Sequence, residues 1–301
     1  MTSYSKGVFF AVSGFLVWGV LPLYWRLLEA VAPMHLLAFR ILLSVILLGA
    51  ILSLQKNFTW LTIFKDAKSA GLIILASIIL CINWGLFIWA VNDGRVLETS
   101  LGYYINPLLS VVLGLVFFKE RLTILQWTAF GLACLGVLIL TILSGSLPWV
   151  SLVLAVCFAF YGALKKKIKL PSMESLAAET LAAAPLGILL LLVRIDTSSG
   201  LRLIPDPQNI AYIAALGLAV LIPLAFSGFL TSLPLYCFGH GAKLLPLSSL
   251  GFFQFIAPTM SFLLAVFVFG ESFPLYRFAA FACIWLAAIL HIISLKSRTQ
   301  K

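Results

Sequence analysis

The sequence predicts an all-α integral membrane protein of ten transmembrane helices, arranged as two inverted five-helix repeats. Three observations predict it. The 301 residues are 62% hydrophobic and 10% charged, which is more apolar surface than a soluble core absorbs and too little charge to cover one. The apolar residues gather into ten segments, about 7–25, 34–54, 70–91, 99–118, 122–143, 148–164, 174–193, 210–235, 245–269 and 275–295. Each is close to the roughly 20 residues that a helix rising 1.5 Å per residue needs to cross about 30 Å of hydrocarbon. Finally, the chain repeats itself. Ser100-Leu101-Gly102-Tyr103-Tyr104-Ile105-Asn106-Pro107 precedes Glu120 by thirteen residues counted from the proline, and Ser249-Leu250-Gly251-Phe252-Phe253-Gln254 leads to Pro258 and, thirteen further on, Glu271. From Pro107 to Glu120 and from Pro258 to Glu271 the copies run gapless at an offset of 151, the signature of a duplicated unit.

Five segments in each half, 1–146 and 147–301, make the second half enter the membrane from the opposite side, so the repeats are inverted. With the N-terminus in the cytoplasm, fourteen Lys and Arg residues fall on the inner side and five on the outer, with Arg40 inside a segment. That asymmetry, rather than the net charge of +10, sets the orientation. It gives a multi-pass membrane protein with both termini cytoplasmic. The run Lys165-Lys166-Lys167 reads as a topology anchor beside the sixth segment rather than a lipid or nucleic-acid patch. The polar stretches at about 55–69 and 194–209 are too short to hold a soluble catalytic or nucleic-acid-binding domain. Lys6 and Ala30-Val31-Ala32 imitate a signal peptide, but the apolar run is too long, Arg26 and Glu29 interrupt it, and Pro33 would follow the cut. The five cysteines, Cys81, Cys134, Cys157, Cys237 and Cys283, form no C-x-x-C pair and read as packing residues.

Asn83-Trp84 with Phe87-Ile88-Trp89-Ala90-Val91-Asn92, Ser100-Leu101-Gly102-Tyr103 through Ile105-Asn106-Pro107-Leu108, Glu120-Arg121-Leu122 and Gln126-Trp127 resemble the RarD-type branch of the EamA family in the drug/metabolite transporter superfamily. Tyr161-Gly162, Glu179-Thr180-Leu181 with Pro185, and Leu250-Gly251-Phe252 through Gln254, Ile256-Ala257-Pro258 and Glu271 extend the resemblance over nearly the whole chain. Phe39 departs from it, since the branch usually carries His before the arginine that aligns with Arg40. The resemblance implies a ten-helix fold whose central path is lined by helices 1–4 and 6–9, with 5 and 10 peripheral. It also implies export or exchange of small metabolites or drugs without an ATPase module.

Polar groups inside apolar segments are the candidate site residues. A charge near a helix centre costs on the order of 2.5–3.5 kcal/mol, so Arg40 needs a reason. It either snorkels to the interface or holds a solute carboxylate or a buried acidic partner, for which its planar fork is suited. Glu179 is the carboxylate most clearly inside a segment. It reads either as a proton carrier, burial favouring its neutral form, or as a hydrated residue one turn from Glu174. In the fourth segment Thr99, Tyr103, Asn106 and Ser110 share a helical face, and adding 151 gives Leu250, Gln254, Ala257 and Ser261 in the ninth. Tyr103, Asn106 and Gln254 are assigned to the solute path, and the serines, with Gly114 and Ala265, to close helix packing. Pro107 and Pro258 are candidate hinges. Asn83, Trp84 and Asn92 from the third segment and Trp18 from the first complete the path, the two tryptophans either stacking on a planar solute or packing. Tyr24, Trp25, Trp60 and Trp149 read as an interfacial belt.

His35, His240 and His291 show no metal-ligand spacing, and no nucleophile–base pair, phosphate loop or H-E-x-x-H points to an enzyme or to a cofactor. A nontransporting scaffold or sensor would need an output segment, and little follows Leu295. The expected partners are a small amphipathic or zwitterionic organic solute, the lipid bilayer and, as candidate coupling ion, the proton, with no nucleic acid. The charge count leads to a direct test: in intact cells, Lys167→Cys and Lys301→Cys should react with maleimides only from the cytoplasmic side. Labelling of either by an impermeant reagent added outside would overturn the count of ten.

Overall fold

The computed structural model describes residues 2–93, 95–143, 149–196, 202–205, 217–268 and 275–299. Among them lie eleven α-helices: α1 (Ser3–Trp25), α2 (Pro33–Leu54), α3 (Ala67–Asn92), α4 (Val96–Phe118), α5 (Ile124–Leu143), α6 (Trp149–Lys167), α7 (Ser172–Leu192), α8 (Leu218–Leu244), α9 (Leu247–Gln254), α10 (Ile256–Phe267) and α11 (Leu275–Thr299). Nine helical stretches in the described residues are long and apolar enough to cross a membrane, the last of them Leu247–Leu264, and Phe278–Ser294 is a shorter apolar one. One feature was not expected. At the polar stretch of about 194–209, Val193–Asp196 (β1) pairs antiparallel with Arg202–Pro205 (β2), Arg194 opposite Ile204. Val193-Arg194-Ile195-Asp196 alternates apolar and charged residues, but over only four positions, a pattern too short to stand out from sequence.

Local chemistry explains where helices start and stop. Pro33 opens α2, where its missing N–H costs nothing. Asp66 precedes α3 and accepts the Ser69 N–H at 3.0 Å, and these Ser69 hydrogen bonds hold its carboxyl below the usual carboxylate range. Thr123 and Gln126 cap α5 reciprocally, the Thr123 N–H donating to Gln126 Oε1 at 2.9 Å and the Gln126 N–H to Thr123 Oγ1 at 3.3 Å. Helix α4 ends on Lys119 in the left-handed region at φ 52°. The next N–H, of Glu120, then reaches back to the Gly114 carbonyl at 3.1 Å.

The chain forms two compact units, and their boundaries cut through helices. The first comprises Met1–Val20, Leu86–Lys167 and Cys237–Lys301; the second comprises Leu21–Gly85 and Ile168–Tyr236. Each boundary within α1, α3 and α8 has Pro22, Gly85 or Pro234 within two residues.

In the first unit α4 packs between α6 and α9, and α5 packs on α11. Leu101, Tyr104 and Val111 of α4, Ala129 and Ala133 of α5, and Phe281, Ile284 and Ala287 of α11 share one buried cluster with Phe252 and Phe255. The close approach of α9 to α4 falls at Gly251, where a Cβ would stand 2.7 Å from the Pro107 carbonyl oxygen and 3.1 Å from the Ser110 Cβ. Gly114 opens space both for a side chain and for the first turn of α9, since a Cβ there would meet Glu120 Oε2 at 2.6 Å and the Ser248 nitrogen at 3.0 Å. The Glu120 carboxylate sits over Gly114 and accepts the first N–H groups of α9, Leu247 at 2.7 Å and Ser248 at 2.9 Å. Lys166 approaches the same carboxylate at 3.8 Å and donates to the Leu245 carbonyl at 2.5 Å. Of the lysine run read as an anchor, Lys165 is fully buried with its Nζ 5.9 Å from the Tyr161 ring, and Lys167 lies 5.8 Å from the Phe117 ring. These lysines also pack.

In the second unit α2 packs on α7, and Gly228 brings α8 against Leu43 of α2. Phe39, the departure from the branch pattern, adds an apolar face to the cluster of Leu28, Val31 and Leu224. Helix α8 runs to Leu244, past the expected end at 235, because its last turns bury Leu235, Cys237, Phe238 and Ala242. Residues 206–216 and Glu271 lie outside the described residues.

The seat of Glu120 can be tested by a double-mutant cycle. A Cβ at position 114 would meet Glu120 Oε2 at 2.6 Å and the Ser248 nitrogen at 3.0 Å. Gly114→Ala should therefore destabilise by about 1–3 kcal/mol, and Glu120→Ala by a similar amount through the two orphaned donors. In thermal unfolding of the purified protein the two losses should add to less than their sum, since each removes the same contact. Strict additivity would show that Gly114 is not a seat for the carboxylate.

Candidate transport site

The residues assigned to the path from sequence fall in both units. Arg40, Asn83, Trp84 and Glu179 belong to the second; Trp18, Asn92, Tyr103, Asn106 and Gln254 belong to the first. In the second unit Arg40 lies two turns into α2. Its Nε–H donates to Thr231 Oγ1 on α8 at 2.9 Å, and its guanidinium carbon lies 4.7 Å from the Trp25 ring centroid and 4.9 Å from that of Trp84. Both distances are within cation–π range. Ser44 ties the two helices together, its hydroxyl donating to the Arg40 carbonyl at 2.6 Å with the Gly228 carbonyl at 3.2 Å. Trp25, read as belt, thus lies against the charge. Trp60, also read as belt, is buried. Tyr24 donates from its hydroxyl to the Pro223 carbonyl. Asn83 is half-buried beside Trp84.

Glu179 is 2% exposed. The Ser175 hydroxyl, one turn earlier on α7, donates to its Oε1 at 2.6 Å, and Ser77 of α3 donates to its backbone carbonyl at 3.0 Å. Its burial separates it from Glu174, which accepts from Asn57 Nδ2 at 2.9 Å at the start of the helix. Next to Ser77 a cleft of about 410 Å³ opens between α2, α3 and α7, lined by Met34, Leu37, Cys81, Ala183 and Leu186 among others. It is almost wholly apolar, with the Ser77 hydroxyl as its polar edge.

In the first unit Trp18 packs in an aromatic cluster, 5.5 Å from Phe15, 5.7 Å from Phe158 and 5.9 Å from Phe238 between centroids. Of the α4 face, Thr99, Asn106 and Ser110 are buried while Tyr103 is half exposed, its ring 6.0 Å from Phe87. Asn106 Oδ1 is buried and finds no hydrogen-bond partner among the described residues. Gln254 is buried, and its amide nitrogen donates to Ser110 Oγ at 3.2 Å. The expected equivalence of Tyr103 and Gln254 is corrected by the break between α9 and α10 at Phe255. Ser249 follows Ser100 by 149 residues and Pro258 follows Pro107 by 151. The two extra residues are accommodated at this break, so Phe252 takes the place of Tyr103 and Gln254 sits at the discontinuity. Pro258 lies in the first turn of α10 and its carbonyl is 3.4 Å from the Tyr104 hydroxyl, while α4 continues helical through Pro107. The side chain of Asn92, at the end of α3, lies outside the described residues.

Residues 5–142 match the EamA-like transporter family. The chain is 40% identical over 293 residues to the uncharacterized transporter YojE of Bacillus subtilis (strain 168), covering 96% of this chain and 94% of that one. It is 38% identical to Protein RarD of Streptomyces exfoliatus, covering 94% and 87%. To Protein RarD of Escherichia coli (strain K12) it is 36% identical over 98% of both. The chain belongs to the RarD-type branch of the EamA transporters. One crystal structure superposes on 97% of it, and over 99% of its own length, at a TM-score of 0.71 and 18% identity, a likeness that shows the shared fold.

A RarD-type EamA protein is a multi-pass membrane transporter of the drug/metabolite superfamily, and that frame gives its polar residues meaning. A guanidinium and a buried carboxyl stand in one unit, and the other holds a buried amide oxygen with no hydrogen-bond partner among the described residues. Sequence reasoning missed Thr231 and Ser175. Ser227 and Thr231 recur at a spacing of four in an otherwise apolar segment, which was the available signal; Ser175 stands one turn before Glu179. The cleft of this RarD-type transporter has its own test. N-ethylmaleimide should modify Cys81, which lines it, faster than the buried Cys237, and Ala183→Phe, by filling the cleft, should slow Cys81 alone. Equal rates read by mass spectrometry would mean that the cleft is closed in the working protein.

Proposed function

We propose that this protein is a secondary carrier, active or facilitative, that exports or exchanges a small amphipathic organic solute across the bacterial inner membrane. It works by alternating access of two inverted five-helix repeats, residues 1–146 and 147–301, with both termini cytoplasmic. The observation that carries the reading is Arg40. A cation inside an apolar helix is costly to insert, and here it is held by the buried Thr231 hydroxyl and by two indole rings. Such preorganisation suits the anionic group of a solute better than snorkelling to the interface. In the same reading Asn83, Asn106 and Gln254 supply hydrogen bonds and Trp84, Trp18 and Tyr103 flat apolar contacts. Asn92 lines the path, Pro107 and Pro258 allow the helices to flex, and the buried Glu179 exchanges the coupling proton through its Ser175-bonded carboxyl.

Uptake of a metabolite library into proteoliposomes, with and without a pH gradient, tests this. For the transported solute, Arg40→Ala should nearly abolish uptake and Arg40→Lys should weaken it, since the bidentate fork is lost. Glu179→Gln should remove gradient-driven accumulation and preserve counterflow, because the amide keeps the shape without titrating. Full uptake by Arg40→Ala at equal protein content would refute the anion-pairing role, and accumulation surviving Glu179→Gln would refute the coupling role.

A further inference from the structure

We infer that the apolar cleft of the second unit binds the apolar arm of the transported solute, and that Gly85 sets how long that arm can be; this rests on the carrier reading above. The cleft, of about 410 Å³, lies between α2, α3 and α7, with Met34, Leu37, Ser77, Cys81, Gly85 and Ala183 among its walls. That volume falls within the roughly 300–1,000 Å³ of small-molecule sites. Ser77 and Gly85 stand eight residues apart on α3, which is about 12 Å of helix rise. The space takes an unbranched chain, or a ring on a short linker. Apolar walls that face one another across a cavity gain dispersion contact from such an arm and little from water.

Gly85 is the part of the wall that helix packing does not require. Inside a helix glycine is the least favourable residue after proline, and at two other positions of this unit close contact accounts for it. A Cβ on Gly228 would stand 2.6 Å from the Leu43 backbone carbon, and one on Gly187 would stand 3.1 Å from Leu42 Cγ. A Cβ on Gly85 would meet nothing within 4 Å, so the room it leaves belongs to the cleft. Gly71, on the same helix, is equally open but exposed and off the cleft. The neighbours of the cleft favour a solute over a phospholipid chain. Leu37 stands one turn before Arg40 on α2 and Cys81 one turn before Trp84 on α3, and the Arg40 guanidinium carbon lies 4.9 Å from the Trp84 ring. The Ser77 hydroxyl gives the cleft a polar edge and donates to the Glu179 carbonyl at 3.0 Å. An arm seated here keeps its polar head beside the Arg40–Trp84 contact, whereas a phospholipid head belongs at the membrane interface.

The full-length protein in phospholipid nanodiscs tests the cleft, and in proteoliposomes it tests the link to transport. With butanol, hexanol and octanol as probes, protection of Cys81 from N-ethylmaleimide should strengthen about fourfold for each methylene added, while Cys283 of the first unit keeps its rate. Gly85→Leu should weaken protection by octanol on the order of tenfold, the loss of about two buried methylenes, and protection by butanol far less. Gly71→Leu adds the same bulk off the cleft and should behave as wild type. For uptake, radiolabelled N-butyl and N-octyl betaines share one zwitterionic head. Gly85→Leu should raise the KM for the octyl betaine on the same scale and change that for the butyl betaine far less. Equal protection of Cys81 and Cys283, or protection of neither, would overturn the cleft as a binding site and leave the carrier reading standing. A Cys81 rate that is slow in the wild type and indifferent to both octanol and Gly85→Leu would also overturn it, by showing a phospholipid chain in place. Equal changes in KM for the two betaines would overturn the role of Gly85 in setting arm length. Saturable uptake of neither betaine by the wild type, with Cys81 still protected by octanol, would instead overturn the carrier reading for this solute class and, with it, the assignment of the cleft to a transported arm.

Discussion

The two N–H groups that open α9 must find an acceptor in a place where water is scarce, and the carboxylate of Glu120 is that acceptor. In hydrocarbon an unpaired backbone donor costs several kcal/mol, so the start of a helix inside such a protein is a structural problem in itself. Here the end of one helix serves the beginning of another. The left-handed turn at Lys119 stops α4 and swings Glu120 back over Gly114; the carboxylate meets the positive end of α9; and Lys166 supplies the balancing cation from α6. Three helices are registered against each other by one side chain, and the Gly251 contact between α4 and α9 depends on that register.

The second unit holds the opposite charge, the half-buried cation of Arg40. Arg40 is stabilised by a hydroxyl and two aromatic faces rather than by surface solvation. Aromatic quadrupoles and a neutral acceptor delocalise and orient the charge without cancelling it. Helix packing at Gly228 is what permits it, since without the close approach of α8 the Thr231 hydroxyl would be out of range.

Most of the helices were legible because the bilayer makes hydropathy a strong constraint: α2, α4, α5 and α7 fall within a few residues of their expected spans. Tertiary contacts were not legible in the same way. Trp25 reads as belt by type and position, yet it faces a charge that another helix delivers. Thr231 is an ordinary small residue in an apolar run until Arg40 comes within 2.9 Å. Lys165 read as a topology anchor, and its burial against the Tyr161 ring was not legible. The equivalences between the two copies of the sequence motif shift by two residues, from an offset of 149 at Ser100 and Ser249 to 151 at Pro107 and Pro258. Only the break between α9 and α10 shows where the shift occurs.

Gly114 and Glu120 also have a consequence for inheritance. The carboxylate occupies the volume that any Cβ at 114 would claim, so neither position is free to drift while the other stays. Among descendants of this fold, a side chain larger than hydrogen at the first position should be accompanied by loss of the acid at the second. Where both change, the opening turn of the helix they serve must have recruited a new acceptor. The two positions thus behave as a single evolutionary character, and swapping either one between relatives transplants half a joint.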